Sequence, residues 1–145
     1  MATRDITQAD PELQQFFAFA KRTFELEFPE FSYKPTCVYR SPEEQLVEFK
    51  AGRSNCDGEK KLSNHNTLPT KAFDGGIFRR SDGAYIDTIL GFPASYRKAL
   101  YAFIWLLAEL KGFRAGGDWD GDGIPVDVDP GEHLNDVYHL EKRKP

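Results

Sequence analysis

The chain has 145 residues and a mass of 16.5 kDa, a length at which one domain buries roughly 70% of its unfolded surface. Apolar residues make up 40% of it, with 12 Phe, 6 Tyr and 2 Trp to fill a core, which excludes intrinsic disorder. Nineteen Lys plus Arg against 23 Asp plus Glu give a formal charge of −4, which argues against nucleic acid or anionic lipid held on a basic face.

No apolar stretch is long enough to span a membrane; the longest, Ala99 to Leu110, is interrupted by Glu109 and reads as a buried helix. The first ten residues lack the apolar core of a signal peptide, so the expected site of synthesis and retention is the cytoplasm. Cys37 and Cys56 are too few for a disulfide framework and are read as reduced thiols, Cys37 in a strand.

In chain order, Asp10-Pro11 predicts an N-cap and first-turn proline, followed by Leu13, Phe16, Phe17, Ala20 and Phe24 on one helical face that ends before Pro29. Tyr33 to Arg40 has strand character. Ser41-Pro42-Glu43-Glu44 predicts a capping box opening a second helix, with Leu46, Val47 and Phe49 facing inward until Gly52. Residues 53–68 are polar and read as a long surface loop, a functional candidate in so small a chain. Residues 72–78 and 85–89 read as strand and turn material around Ser81-Asp82-Gly83. Ser95 to Lys111 is apolar on most faces and is expected to be the central core helix, stopped by Gly112. Phe113 to Gly116 and Val137 to Glu141 read as short final strands on either side of an Asp/Gly-rich loop, with no internal repeat anywhere. The sum is an α+β domain over 1–145, with helices on one face of a small, mainly antiparallel sheet whose edge and loops carry the functional residues.

Only three histidines occur: His65 ends the polar loop, His133 lies in the acidic loop and His139 lies in the last strand. If loop and strands converge, His65, Asp74 and His139 offer two imidazoles and a carboxylate, a zinc set that leaves a fourth position open. Each histidine taken alone reads rather as a hydrogen-bonded or surface residue, since no H-E-x-x-H spacing is present. Asp136, three residues before His139, is close enough to act as general base on a water at such a metal. Arg40 could face a developing oxyanion or a substrate carboxylate, or pair on the surface with Glu43 or Glu44.

Tyr39-Arg40-Ser41-Pro42-Glu43-Glu44-Gln45, Gly52-Arg53-Ser54, Ser63-Asn64-His65, Ala72-Phe73-Asp74, Gly116-Gly117-Asp118-Trp119 and Asp136-Val137-Tyr138-His139-Leu140-Glu141 occur in one order. In that order they resemble the motifs of M15-type, VanY-like zinc peptidases, above all the L-alanyl-D-glutamate endopeptidases that phages use as endolysins. The resemblance spans roughly residues 37 to 141 and implies His65, Asp74 and His139 as zinc ligands, Asp136 as general base and Arg40 as transition-state stabiliser. The sequence departs from the family's H-x-x-G-x-A-x-D in a longer His65–Asp74 stretch, with Pro69 and Lys71 in place of the glycine-containing turn. Ser63 and Gln45 stand beside the site either as supporting contacts or in ordinary loop and helix hydrogen bonds.

Asp118, Asp120 and Asp122 alternate ahead of Gly123, with Asp129 at the twelfth position, a pattern that resembles an EF-hand-type calcium loop. It departs from that pattern in Ile124-Pro125 and in an aspartate where the bidentate glutamate belongs, so calcium and a solvated acidic loop stand as equal readings. The resemblance implies hydrolysis of the peptidoglycan stem peptide, at the L-Ala–D-Glu bond, by a monomer released to the cell wall from the host cytoplasm by a holin-like partner. A D-Ala-D-Ala carboxypeptidase or dipeptidase, and a non-catalytic metal-dependent binding module, are the alternative readings. No nucleic acid and no membrane span are expected. Glu132 and His133 receive no role.

Overall fold

The computed structural model describes residues 2–116 and 138–143. Helix α1 (Pro11–Glu27) begins where the sequence predicts: Asp10 accepts from the amide of Glu12, and Pro11 occupies the first turn, where a missing N–H costs nothing. Leu13, Phe16, Phe17, Ala20 and Phe24 form its buried face. The chain then enters strand β1 (Phe31–Cys37), which stops three residues short of the expected Arg40. Beyond Cys37 the backbone pairs with the N-terminus instead, Val38 N–H donating to Thr3 O at 2.7 Å and Thr3 N–H to Tyr39 O at 2.9 Å.

β1 pairs antiparallel with β2 (Ala72–Arg79), β2 with β4 (His139–Lys142), and β4 with β3 (Phe113–Ala115), in the order β1-β2-β4-β3. The last strand in the chain is therefore an inner strand. Side chains alternate across the sheet. Phe31, Tyr33, Phe73, Ile77, Ala115 and Leu140 enter one apolar cluster with α1 and with helix α3 (Ala94–Leu110). The α+β architecture, with helices on one face of an antiparallel sheet, agrees with the sequence reading. At Gly75 the phenol of Tyr33 lies where a Cβ would stand, so strand and ring approach closely only because that residue is glycine.

α3 buries Leu100, Tyr101, Ile104, Trp105 and Ala108, whereas Leu106 and Leu110 are 57% and 77% exposed. The expectation of a helix buried on most faces is corrected: it is a flank of the core, covered by the sheet and α1 on one side only. Helix α2 (Pro42–Lys50) has the predicted capping box, Ser41 and Glu44 each accepting from the other's backbone N–H. Its inward residue is Gln45, while Val47 and Phe49 are exposed and Leu46 is half-buried, which corrects the expected apolar face. This helix uses its buried side for polar contacts rather than for the core. Tyr85 to Ile89 folds as a 3-10 turn (Ile86–Thr88), joined to β2 by a bridge between Tyr85 and Phe78.

β1 is an edge strand, and α1 guards it: Glu25 accepts from the Tyr33 amide at 3.0 Å while Lys21 donates to the Tyr33 carbonyl at 2.9 Å. A side-chain ion pair thus occupies the hydrogen-bonding positions a further strand would take, and Pro35 removes another donor.

Candidate metal centre

The register places Cys37 opposite Asp74 and Asp74 opposite His139, a row across three adjacent strands. Asp74 and His139 alternate with the core residues Phe73 and Leu140, so both project from the face away from α1 and α3. They stand at one end of the two inner strands, where the loop carrying His65 meets the sheet.

That loop is held by polar contacts along its length. Gln45, fully buried, donates to Ser54 Oγ at 2.8 Å and to Cys56 O at 2.9 Å. Asp57 accepts from the amides of Glu59, Lys60 and Lys61. Ser63 Oγ accepts from His65 N–H at 3.1 Å, the ordinary loop role weighed for it, and Arg40 N–H donates to His65 O at 2.9 Å. His65 is 3% exposed.

Each imidazole is fixed by its outer nitrogen. His65 Nδ1 lies 2.9 Å from Val38 O, which can only accept, so that nitrogen carries a proton and Nε2 points inward. His139 Nε2 lies 2.8 Å from Glu141 Oε1, which leaves Nδ1 inward. The inward atoms form a near-equilateral triangle: His65 Nε2 to His139 Nδ1 is 3.2 Å, His139 Nδ1 to Asp74 Oδ1 is 3.2 Å, and His65 Nε2 to Asp74 Oδ1 is 3.3 Å. Tetrahedral zinc with bonds of about 2.0–2.2 Å places ligand atoms about 3.3–3.6 Å apart, a little wider than this triangle. Three acceptor atoms this close repel one another unless a proton or a cation lies among them. The donor set, its spacing and its outer hydrogen bonds fit zinc, including the carboxylate–histidine pairing common around such ions.

The titration behaviour follows the same logic. Burial pushes the Asp74 carboxyl up, but the imidazoles of His65 and His139 outweigh it and hold its pKa well below the carboxylate range. Burial pushes His139 down, and hydrogen bonds to Asp74 and Glu141 overcome this and raise it to about 9. His65 is likewise raised, Asp74 overriding its burial.

Two residues that sequence reasoning left unassigned take part. Glu141 is one; its signal was its place two residues after His139 in a strand, hence on the same face. The other is Cys37, which with His65 and Asp74 brings one potential ligand atom each within 4.8 Å of one another. Its Sγ lies 3.9 Å from His65 Nδ1, the nitrogen committed to Val38, and accepts from Arg40 Nη2 at 3.4 Å. Cys37 therefore sits behind the imidazole, and the triangle with His139 is the better ligand set. Both thiols are free, as expected.

The Arg40 guanidinium is engaged by Gln45 and Cys37. Nη1 donates to Gln45 Oε1 at 3.0 Å and Nη2 to Cys37, which aims the guanidinium along the side of His65. The entry to β4 is gripped as well: Tyr138 O accepts from Gly75 N–H at 2.9 Å, and its phenol donates to Asp87, which also accepts from Tyr101 at 3.3 Å. Asp136, Asp118, Asp120, Asp122, Asp129, Glu132 and His133 lie outside the described residues. Among the described residues, no helix is long and apolar enough to cross a membrane.

No family model matches the sequence, and no curated protein matches it. Among solved structures, the chain is similar to the crystal structure of the Serratia marcescens L-Ala D-Glu endopeptidase ChiX. The TM-score is 0.62 at 16% identity, over 99% of this chain and 89% of that one. At this identity the two chains share a fold, and that fold is the one the ordered motifs led us to expect.

Proposed function

We propose that this protein is a zinc-dependent peptidoglycan peptidase of the M15 type that cleaves the stem peptide at the L-Ala–D-Glu bond in bacterial cell-wall lysis. The observation that carries the reading is the convergence of His65 Nε2, Asp74 Oδ1 and His139 Nδ1 at 3.2–3.3 Å, with both outer nitrogens already engaged. The fold shared with an L-Ala D-Glu endopeptidase supports it.

His65, Asp74 and His139 would hold the zinc, which when bound acts as a Lewis acid toward the scissile carbonyl and the attacking water. Val38 O and Glu141 keep the two imidazoles in the tautomers a ligand needs. Arg40, braced by Gln45 and Cys37, offers positive charge beside the site for the oxyanion that develops as the carbonyl is attacked. Asp136 takes the proton from water and returns it to the leaving amine.

The test is digestion of purified peptidoglycan by the zinc-loaded chain and by Asp136→Ala, with mass spectrometry of the products and bound zinc measured in both. New N-terminal D-Glu, lost in a variant that keeps its zinc, is the expected result. Released D-Ala would move the assignment to a carboxypeptidase, and bound zinc without cleavage would leave a binding module.

A further inference from the structure

We propose that Lys34 is a specificity-determining residue that reads the free α-carboxylate on the leaving side of the scissile bond, that of the stem-peptide D-Glu; this rests on the peptidase reading above. In β1, Phe31 and Tyr33 enter the core, so Lys34 projects from the opposite face, which Asp74, Gly76, Phe78 and His139 share. Lys34 stands opposite Gly76, two residues from Asp74, hence about 7 Å along the sheet from the metal row and about 5 Å across it.

Between Lys34 and the row lies Gly76, over which Thr36, Phe78 and Tyr85 pack. Gly76 has no side chain, and Thr36 and Tyr85 close in on it so tightly that a Cβ would lie 2.8 Å and 2.9 Å from them. The Lys34 ammonium lies 5.4 Å from the centre of the Phe78 ring, itself packed on Tyr85 at 5.1 Å. The aromatic pair thus supports an exposed cation over the sheet face. Like several other surface lysines, Lys34 has no carboxylate partner among the described residues, so its ammonium is open to a ligand. Of the other cations near the site, Arg40 is committed to Gln45 and Cys37, and Arg114 stands opposite Glu141 on β3.

Three bonds separate the scissile carbonyl carbon from the α-carboxylate of the next residue, a reach of at most about 4 Å. A substrate whose carbonyl sits at the triangle and whose leaving side runs along β2 brings that carboxylate toward the lysine. An amidated α-carboxyl would meet the ammonium without the charge.

The experiment compares two soluble stem peptides that differ only at the α-position of D-Glu, carboxylate against carboxamide, using the zinc-loaded full chain. Wild type is expected to favour the carboxylate by about tenfold in kcat/KM, the scale of one charge-assisted hydrogen bond. Lys34→Gln should bring that ratio close to one through a raised KM for the carboxylate peptide, with the carboxamide peptide and bound zinc unchanged, and Lys34→Arg should restore the preference in part. A wild-type ratio near one, or a Lys34→Gln variant that keeps the wild-type ratio, overturns the assignment and leaves a lysine that only guards an edge strand. Cleavage of neither peptide by wild type overturns the peptidase reading and this assignment with it.

Discussion

Replacing Glu141 with Gln probes whether the outer hydrogen bonds of the histidines build the metal centre. Glu141 Oε1 accepts from His139 Nε2 at 2.8 Å, and both side chains are 9% exposed, so water does little to replace that bond. The negative charge holds a proton on Nε2, so that Nδ1 is the nitrogen that gives up its proton to a metal. Once the acceptor is neutral, Nδ1 is the nitrogen that keeps its proton, because Asp74 Oδ1 waits there at 3.2 Å, and a metal must then reverse that arrangement. Losses of supporting residues of this kind lower metal affinity about 10- to 100-fold, or about 1.4–2.7 kcal/mol. Glu141→Ala should cost more, because it also orphans a buried N–H, worth about 1–3 kcal/mol. Competition for zinc against a chromophoric chelator measures the affinities, with circular dichroism to confirm the fold. Affinity of Glu141→Gln within twofold of wild type, alongside an Asp74→Ala variant that has lost its zinc, would refute the reasoning.

Gln45→Leu removes the brace on Arg40 and leaves Ser54 Oγ and Cys56 O without their donor. The expected result is about 2–3 kcal/mol of lost stability in urea and a lower kcat at unchanged zinc content. Gly75→Ala drives a methyl into the buried Tyr33 phenol, where Phe17 and Phe24 pack against the ring, and should cost about 3 kcal/mol by thermal unfolding. Burial pushes the Glu25 carboxyl up, but Lys21, the Tyr33 amide and Arg80 outweigh it and hold its pKa below 4.5. A depressed carboxyl stabilises the fold above pH 4.5 and loses that contribution as pH falls through its folded value. Glu25→Gln should therefore be less stable than wild type at pH 7 by about 1 kcal/mol or less, with the gap closing below pH 4.5; a gap that widens in acid would exclude the ion-pair account.

Local signals were the most legible part of the sequence. Asp10-Pro11 and Ser41-Pro42 mark helix starts because capping depends on a few neighbouring atoms, and the face of α1 follows from helical spacing alone. The inward face of α2 could not be read the same way. Its apolar residues suggest a core face, but the helix lies over the polar end of the sheet, where Gln45 finds three hydrogen-bond partners and Val47 finds none of the core. His65, Asp74 and His139 were recognisable as a ligand set by residue type, yet their meeting depends on strand order. Nothing local says that β4, last in the chain, lies between β2 and β3.

That strand order also explains how a centre can be built from residues so far apart in sequence. His139 reaches Asp74 only through the β2–β4 register, and Asp74 reaches Cys37 only through β1–β2, so the row exists only when three strands are paired. His65 is then set against the row by backbone bonds from Arg40 and by Val38 O, both from the stretch just after β1. A metal bound there links the loop, β2 and β4 in the native state and has no equivalent triangle to bind in the unfolded chain. Zinc should accordingly raise the stability of the whole sheet by mass action, and each outer hydrogen bond that holds an imidazole in place contributes to folding and to metal affinity together.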